Sequence, residues 1–202
     1  MERLLSKGFF ERDPAVVAEE LLGKVIIRNL EGSILKGMIV ETEAYYGAED
    51  PASRARRGKL PHNRLMWEDP GTVFVYVVHG NNLFNVVTMP RGIPSAILIR
   101  AVRPLEGIDT MMRNRKVKDL RNLANGPGKL CEALGITRDL NGLKVYDPKS
   151  PLRIVDSGIT GLEVARSHRI GVREDLETPL RFYVRGSEFV SRKTPSRHKS
   201  LL

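Results

Sequence analysis

The clearest alternation of apolar and polar positions lies in residues 40–49, which read Val-Glu-Thr-Glu-Ala-Tyr-Tyr-Gly-Ala-Glu. The segment begins as a β-strand, because apolar and polar side chains follow one another in turn. Successive side chains of a strand point to opposite faces, so Glu41, Glu43 and Tyr45 share one face and the residues between them share the other. The pattern predicts two carboxylates and a phenol on a single surface.

The rest of the chain predicts a mixture of short helices and strands. An aspartate, a proline and a terminal glycine frame an amphipathic helix at residues 13–23, and further helices are predicted at 105–116 and 129–134. Strands are predicted at 24–29, 33–42, 72–78, 84–88 and 95–102, with shorter β segments near 143–146, 152–155, 169–173 and 181–190.

Three segments lack such regularity. Residues 47–71 are rich in glycine, proline and charge, and predict a long irregular loop of the kind that is usually functional or disordered. Residues 79–82, His-Gly-Asn-Asn, have turn chemistry and mark the tip of a hairpin. No repeat or linker divides the chain, so we expect one domain at 1–190, followed at 191–202 by a mobile basic tail.

Composition narrows the class of protein. The chain has 202 residues, 41% hydrophobic and 28% charged, which is typical of a globular protein with a real core. Its net charge of +9 makes nucleic acid the first candidate partner, because a duplex carries closely spaced phosphates; the alternative is a basic surface without function. Cys131 is the only cysteine, which excludes an intrachain disulfide and a cysteine-based metal cluster.

The cellular location follows from what the sequence lacks. No apolar run reaches the roughly 20 residues of a membrane span. The first residues also lack the apolar stretch of a signal peptide. We therefore expect no membrane partner and a location in the cytoplasm of a prokaryote, with the nucleoid, or in the nucleus of a eukaryote.

The paired carboxylates have three interpretations. Glu41 and Glu43 are two residues apart on one strand, or about 6–7 Å along it. They could form a metal site completed by Glu49 and Asp50, or a solvated polar face. They could instead be one general base and one structural carboxylate, since a base beside an aromatic ring can activate water next to a stacked planar substrate. The four histidines lack the spacing of zinc ligands, whereas the carboxylates are compatible with Mg²⁺.

Three further positions have both a structural and a functional interpretation. Arg100 lies in an apolar strand, where a guanidinium needs a carboxylate or phosphate partner; it is either a buried ion pair or a neighbour of the reacting water. His79 is either an exposed turn residue or a wedge that enters a duplex. The Gly-Pro-Gly-Lys sequence at 126–129 could present backbone N–H groups to a phosphate, although such helix starts are common.

Six blocks of sequence, in order along nearly the whole chain, resemble the alkyladenine (3-methyladenine) DNA glycosylase family. They are Val-Glu-Thr-Glu-Ala-Tyr at 40–45, Pro-Gly-Thr at 70–72 leading into Val-Tyr-Val at 75–77, Phe-Asn at 84–85, Arg-Ala-Val-Arg-Pro-Leu-Glu-Gly at 100–107, Gly-Pro-Gly-Lys-Leu-Cys at 126–131 and Pro-Leu-Arg-Phe-Tyr-Val-Arg-Gly at 179–186. The resemblance implies an α+β fold: a single mixed domain with a curved, largely antiparallel β-sheet flanked by helices.

The resemblance also implies roles for individual residues. Glu43 matches the general base that deprotonates the water attacking the sugar C1′, and Arg100 matches the arginine beside that water and the flipped nucleotide's phosphate. Tyr45 and Tyr76 match aromatic residues that pack on the extruded base, where a cationic purine would gain cation–π stabilisation. Asn85 matches the pocket asparagine that crowds the exocyclic amino group of normal guanine. No metal or other cofactor is implied.

Two positions depart from the family pattern. His79 stands at the wedge position, where the family commonly has tyrosine. Arg54 stands, by count, at the position of the pocket histidine; its fixed charge would repel a cationic purine and favour neutral lesions such as hypoxanthine. A shift in loop register would instead make Arg54 a phosphate contact. Further backbone contacts are expected from Arg56, Arg57, Arg64 and Lys129.

The sequence thus predicts a monofunctional DNA glycosylase of base excision repair. It would act as a monomer on double-stranded DNA, flipping alkylated or deaminated purines of the 3-methyladenine and hypoxanthine class and hydrolysing the N-glycosidic bond with a water activated by Glu43. Two alternatives stay open. One is a non-catalytic nucleic-acid-binding module of the same fold, and the other is a Mg²⁺-dependent nuclease that uses Glu41, Glu43 and Asp50.

Overall fold

The longest strand, β3 (Ser33–Tyr45), lies in the interior of the sheet. In the computed structural model, which describes residues 2–191, β3 pairs along one side with β6 (Ala96–Glu106). Along the other side it pairs first with β2 (Val25–Leu30) and then, at residues 41–43, with β9 (Arg181–Val184). Strands distant in sequence therefore converge on the segment that carries both carboxylates.

Every strand pairing among the described residues is antiparallel, and the order is β1-β7-β2-β3-β6-β5-β4 with β8 beside β9. The other strands are β1 (Arg3–Leu4), β4 (Val73–Val78), β5 (Asn81–Val87), β7 (Leu152–Asp156) and β8 (Val164–Ser167). The helices are α1 (Lys7–Phe10), α2 (Pro14–Glu20), α3 (Ile108–Arg115) and α4 (Pro127–Leu134), with 3₁₀ turns at Arg64–Trp67, Leu120–Asn122 and Arg138–Leu140. These elements confirm the expected α+β fold with a curved, antiparallel sheet.

The helix α2 shows how local sequence positions the carboxylate strand. Asp13 caps it by accepting hydrogen bonds from the backbone N–H groups of Ala15 at 2.8 Å and Val16 at 3.3 Å, and a proline occupies its first turn. The buried Ala18 then accepts a hydrogen bond at 2.7 Å from the Thr42 hydroxyl, on the face of β3 opposite the carboxylates. Apolar packing and this hydrogen bond hold β3 in place on the face opposite the carboxylates. Within residues 2–191, no helix is long and apolar enough to cross a membrane.

Several predicted elements differ from the structure, three of them substantially. The helix predicted at 105–116 begins at Ile108, because β6 continues to Glu106 and pairs there with Lys36. The segment 143–146 contributes only an isolated bridge. No strand forms at 169–173, since the first two backbone N–H groups of that segment donate to the carboxylates of Asp175 and Glu43 rather than to a neighbouring strand.

The predicted 47–71 loop is ordered and has a small apolar core of its own. Asn63 is fully buried and bonds three backbone groups: its carbonyl oxygen accepts from the N–H of Leu60, and its amide donates to the carbonyls of Arg54 and Gly58. A cluster separate from the main core packs beneath the loop and consists of Ala55, Met66, Phe74, Val87 and Ala96. The position of Arg54 is thereby fixed from within the loop.

Candidate active site

Both paired carboxylates are completely buried. The side chains of Glu41 and Glu43 have no solvent exposure, so the interpretation as a solvated polar face was wrong. The register of β3 against β6 shifts on either side of Glu41, which marks a β-bulge of the kind that redirects side chains near functional sites. Both carboxylates contact Arg100, so they lie on the same side of the strand.

Arg100 bridges the pair. Its Nε donates to Glu41 Oε1 at 2.9 Å, its Nη1 donates to Glu43 Oε2 at 3.2 Å, and its Nη2 donates to the Ser191 hydroxyl at 3.4 Å. Burial disfavours the charged guanidinium, yet the two carboxylates outweigh it and raise the pKa of Arg100. The predicted buried ion pair is present, and it places Arg100 directly beside Glu43.

Glu41 is held by Arg100, Arg181 and Ser191, and we call these four residues together the Glu41 cluster. Arg181 Nε lies 2.7 Å from Glu41 Oε1, and the Ser191 N–H and hydroxyl donate to the two carboxylate oxygens at 2.6 and 2.7 Å. Burial alone would raise the pKa of Glu41, but the charges of Arg100 and Arg181 and these hydrogen bonds lower it. Ser191, the first residue of the predicted tail, is thus a buried part of the cluster; the remainder of that tail lies outside the described residues.

Glu43 has a different set of neighbours. Its Oε1 accepts from the Ile170 N–H at 2.7 Å, and its Oε2 accepts from the Tyr45 hydroxyl at 2.8 Å as well as from Arg100. Complete burial raises the pKa of this carboxyl despite the opposing effects of Arg100 and the two hydrogen bonds. A buried carboxylate of raised pKa is a stronger base near neutral pH than an ordinary glutamate.

The residues expected to form a base pocket line one narrow cavity, which we call the aromatic cavity. Tyr45, Tyr76, Asn85 and Arg54 all contribute to its wall, together with Phe74. Burial raises the pKa of both tyrosines, so both are neutral phenols. The Tyr45 hydroxyl, on a residue of the cavity wall, donates to Glu43, so one hydrogen bond connects the cavity to the carboxyl group of raised pKa.

A guanidinium already stacks on each of the two phenol rings. The Arg54 guanidinium carbon lies 4.5 Å from the centroid of Tyr76, and that of Arg169 lies 4.5 Å from the centroid of Tyr45. The two arginines differ in solvent exposure and in pairing. Arg54 is exposed and no carboxylate among the described residues pairs with it, whereas the Arg169 side chain is fully buried and pairs with Asp50. Each of the two tyrosine rings of the cavity therefore already carries a positively charged group.

The sequence pattern pointed to Asp50 but not to Arg169 or to the pairing of the two residues. Its guanidinium forms two bonds with Asp50, at 2.6 and 2.8 Å, and pairs with Asp175 at 2.7 Å. These carboxylates raise the pKa of Arg169 against the effect of burial. Asp50 is thus committed to an arginine rather than to the metal site considered from sequence, and across residues 2–191 no group of three or more His, Cys, Asp or Glu side chains is arranged to hold a metal ion. No apolar periodicity marks this contact in the sequence.

The hairpin tip is a two-residue turn. His79 and Gly80 have φ angles of +48° and +78°, so both central residues are in the left-handed region that a type I′ turn requires. Asn81 already belongs to β5, which makes the predicted turn at 79–82 two residues too long. The His79 side chain is exposed at the end of the β4–β5 hairpin.

The expected phosphate contacts occupy two places. Arg56 and Arg57 are exposed at the mouth of a larger open cavity beside Tyr76, and Arg64 is exposed on the wall of a second cavity. Lys129 is half-buried instead, and its ammonium donates to the side-chain oxygens of Asn122 at 2.6 Å and Asn125 at 2.8 Å. A Cβ on the preceding Gly128 would lie 2.9 Å from the Cβ of Asn81, so α4 begins close against the hairpin.

Known proteins resemble this chain along nearly its whole length. The Methylpurine-DNA glycosylase (MPG) family model matches residues 8–188. The chain belongs to that family. A protein of Koribacter versatilis is 46% identical over 94% of this chain and 93% of its own length, and one of Aeropyrum pernix is 43% identical over 95% of each; both bear the provisional name 3-methyladenine DNA glycosylase.

Membership confirms the resemblance read from the sequence. The protein is a DNA glycosylase of base excision repair that acts on damaged DNA. The non-catalytic module and the nuclease are accordingly set aside.

Proposed function

We propose that this glycosylase hydrolyses the N-glycosidic bond of a flipped, damaged purine with a water that Glu43 deprotonates. One observation carries the proposal: Glu43 is completely buried, has a raised pKa and is bonded to Tyr45, which lines the aromatic cavity. A carboxylate in that state can accept a proton near neutral pH. Arg100 lies 3.2 Å from Glu43 and supplies positive charge beside the reacting atoms.

The reaction needs few groups. The water oxygen bonds to the sugar C1′, the bond from C1′ to the purine nitrogen breaks, and the purine leaves with the bonding electrons while Glu43 takes the water proton. Alkylation makes the purine cationic and therefore a better leaving group, so for such lesions flipping and positioning are the enzyme's main contributions. No lysine lines the three described cavities around Tyr76, which favours hydrolysis without a Schiff-base intermediate.

The cavity also supports a preference among lesions. Arg54 stacks on Tyr76 and carries a fixed positive charge without an ion-pair partner among residues 2–191. A cationic purine entering beside it meets repulsion that a neutral purine does not. Neutral lesions such as hypoxanthine are therefore the preferred substrates, with 3-methyladenine as the cationic counterpart, and Asn85 narrows the cavity against the amino group of guanine.

Binding to DNA uses the surface around the cavity. The exposed His79 at the hairpin tip fills the gap that the flipped nucleotide leaves in the stack. The flanking cations neutralise phosphates of the double-stranded substrate, which a single copy of the chain can contact. They are Arg56, Arg57, Arg64 and Lys129.

The test is single-turnover incubation with a duplex that carries one hypoxanthine, followed by alkali to cleave any abasic site. Wild type should give alkali-dependent cleavage in the presence of EDTA, and Glu43→Gln should be slower by about 10³-fold. Glu49→Gln is the matched control, because Glu49 is an exposed acid six residues along the chain. Cleavage without alkali, or full activity of folded Glu43→Gln, would contradict the proposal.

A further inference from the structure

The segment that follows β8 is anchored by one buried arginine. The Arg169 side chain has no solvent exposure and bonds to Asp50, to Asp175 and, at 3.0 Å, to the backbone carbonyl of Ala44. Its guanidinium also covers one face of the Tyr45 ring at 4.5 Å. Of the residues that Arg169 contacts, Tyr45 lines the aromatic cavity.

The next residue reaches the proposed base. The Ile170 N–H donates to Glu43 Oε1 at 2.7 Å, and it is the only described donor to that oxygen. The other groups that face Glu43 come from three strands: Arg100 from β6, Tyr76 from β4, and Glu41 with the Tyr45 hydroxyl from its own strand β3. A single hydrogen bond thus links Glu43 to the segment that Arg169 holds.

Asp50 extends this link to the 47–71 loop. Its carboxylate accepts from the N–H groups of Tyr46 and Ala52, each at 3.0 Å, in addition to its two bonds with Arg169. Ala52 and residues 171–174 both line the open cavity beside Tyr76. The ion pair between Asp50 and Arg169 therefore joins two segments that contribute to this cavity.

We propose that Arg169 is a positioning residue for excision: anchored by Asp50 and stacked on Tyr45, it holds the Ile170 N–H on Glu43 and fixes the ring that lines the cavity. The inference rests on the proposed role of Glu43 as the general base. It assigns to Arg169 no contact with the water or the sugar. Lysine cannot replace it fully, since only a planar guanidinium forms two bonds to one carboxylate while stacking on a ring.

The experiment measures single-turnover excision of hypoxanthine against pH at saturating enzyme for wild type and Arg169→Lys. The Ile170 hydrogen bond lowers the pKa of Glu43, so weakening it should move the acidic limb of the profile upward by about 0.5–1 pH unit. The plateau rate should also fall about tenfold, as misplaced reacting groups lose rate. Asp175→Asn, which keeps the Asp50 pair, should shift the limb in the same direction by less and covers the case in which Arg169→Lys does not fold.

Arg185→Gln is the control, because Arg185 is an exposed arginine that pairs, among residues 2–191, with the exposed Glu163 alone. Its profile should match wild type. An Arg169→Lys or Asp175→Asn protein that is folded and keeps the wild-type limb would overturn the inference and leave only a structural role. Glu43→Gln in the same series separates the two proposals. If Glu43→Gln excises hypoxanthine normally, the proposed role of Glu43 as the base is wrong. If Glu43→Gln is inactive while Arg169→Lys keeps the wild-type pH profile, only the positioning role of Arg169 is wrong.

Discussion

Glu41 and Glu43 are two residues apart on β3, equally buried and both bonded to Arg100, yet their surroundings move their pKa values in opposite directions. Glu41 meets a second arginine and both donors of Ser191, which lower its pKa. Glu43 meets a backbone N–H and a phenol, which do not offset its burial, and its pKa is raised. Neighbouring carboxylates with diverging pKa values are the arrangement by which enzymes divide structural and basic roles.

The cations on the two sides differ in the same way. In the Glu41 cluster, Arg100 and Arg181 are buried and each is paired with a carboxylate. On the cavity side, Arg54 is exposed and stacks on Tyr76 without a carboxylate partner among the described residues. The first arrangement stabilises the fold around a fixed anion, and the second leaves a charge free to meet a substrate.

The largest expected effect on stability comes from breaking the Glu41 cluster. Glu41→Gln leaves Arg181 buried without a carboxylate and should lower the free energy of unfolding by about 3–5 kcal/mol, measured by denaturant titration. Under conditions in which Glu41→Gln is folded, it should still excise hypoxanthine. Glu163→Gln, which removes only an exposed pair with Arg185, is the control and should unfold with wild-type stability. A Glu41→Gln protein that is as stable as wild type but inactive would show that the roles assigned to the two carboxylates are reversed.

The pH dependence of excision should separate the two carboxylates next. Glu43 must be ionised to accept a proton, so the single-turnover rate should rise with pH through a limb above the ordinary glutamate pKa of about 4.3. A no-enzyme series corrects for acid depurination. A limb at or below the ordinary value would show that the group controlling the rate is not buried Glu43.

Stability should respond to pH with opposite signs at the two sites. The lowered pKa of Glu41 contributes stability that is present above its unfolded-state pKa and is lost as the pH falls through the lower folded value. The raised pKa of Glu43 has the reverse effect, because the folded state holds that proton more tightly and loses stability as pH rises through the folded value. Denaturation of wild type and Glu43→Gln across acidic pH isolates the second contribution.

The smallest effect should come from the unpaired charge of Arg54. Arg54→Gln removes the cation from Tyr76, and the rate of 3-methyladenine release relative to hypoxanthine release should rise roughly three- to tenfold. Arg57→Gln is the matched control, because Arg57 is exposed and its proposed phosphate contact should affect both lesions equally. An unchanged ratio for Arg54→Gln would show that its charge does not select among lesions.

The sequence predicted the side of the site that local pattern and family motifs describe. Alternation placed Glu41, Glu43 and Tyr45 on one face, and the cost of burying a guanidinium predicted an anionic partner for Arg100. Hairpin chemistry also located His79 near a turn, although the turn is shorter than predicted.

The partners that distinguish the two carboxylates were not predictable in this way. Arg181 and Ser191 reach Glu41 from positions 140 and 150 residues along the chain, and Ile170 reaches Glu43 from 127 residues away. The apolar residues of the 169–173 segment predicted a strand. They do not reveal that the backbone N–H groups of Arg169 and Ile170 donate to carboxylates instead of to a neighbouring strand. Which carboxylate becomes the stronger base is decided by these tertiary contacts and not by the strand itself.

The most direct measurement is the titration of both carboxylates by ¹³C NMR of glutamate side-chain carboxyl carbons, assigned through Glu41→Gln and Glu43→Gln. We predict that the resonance missing from Glu43→Gln titrates above the ordinary glutamate value, while the carboxyl group whose resonance is missing from Glu41→Gln remains ionised throughout that range. The reverse order, or coincident titrations, would contradict the assignment of Glu43 as the base and Glu41 as the structural anion.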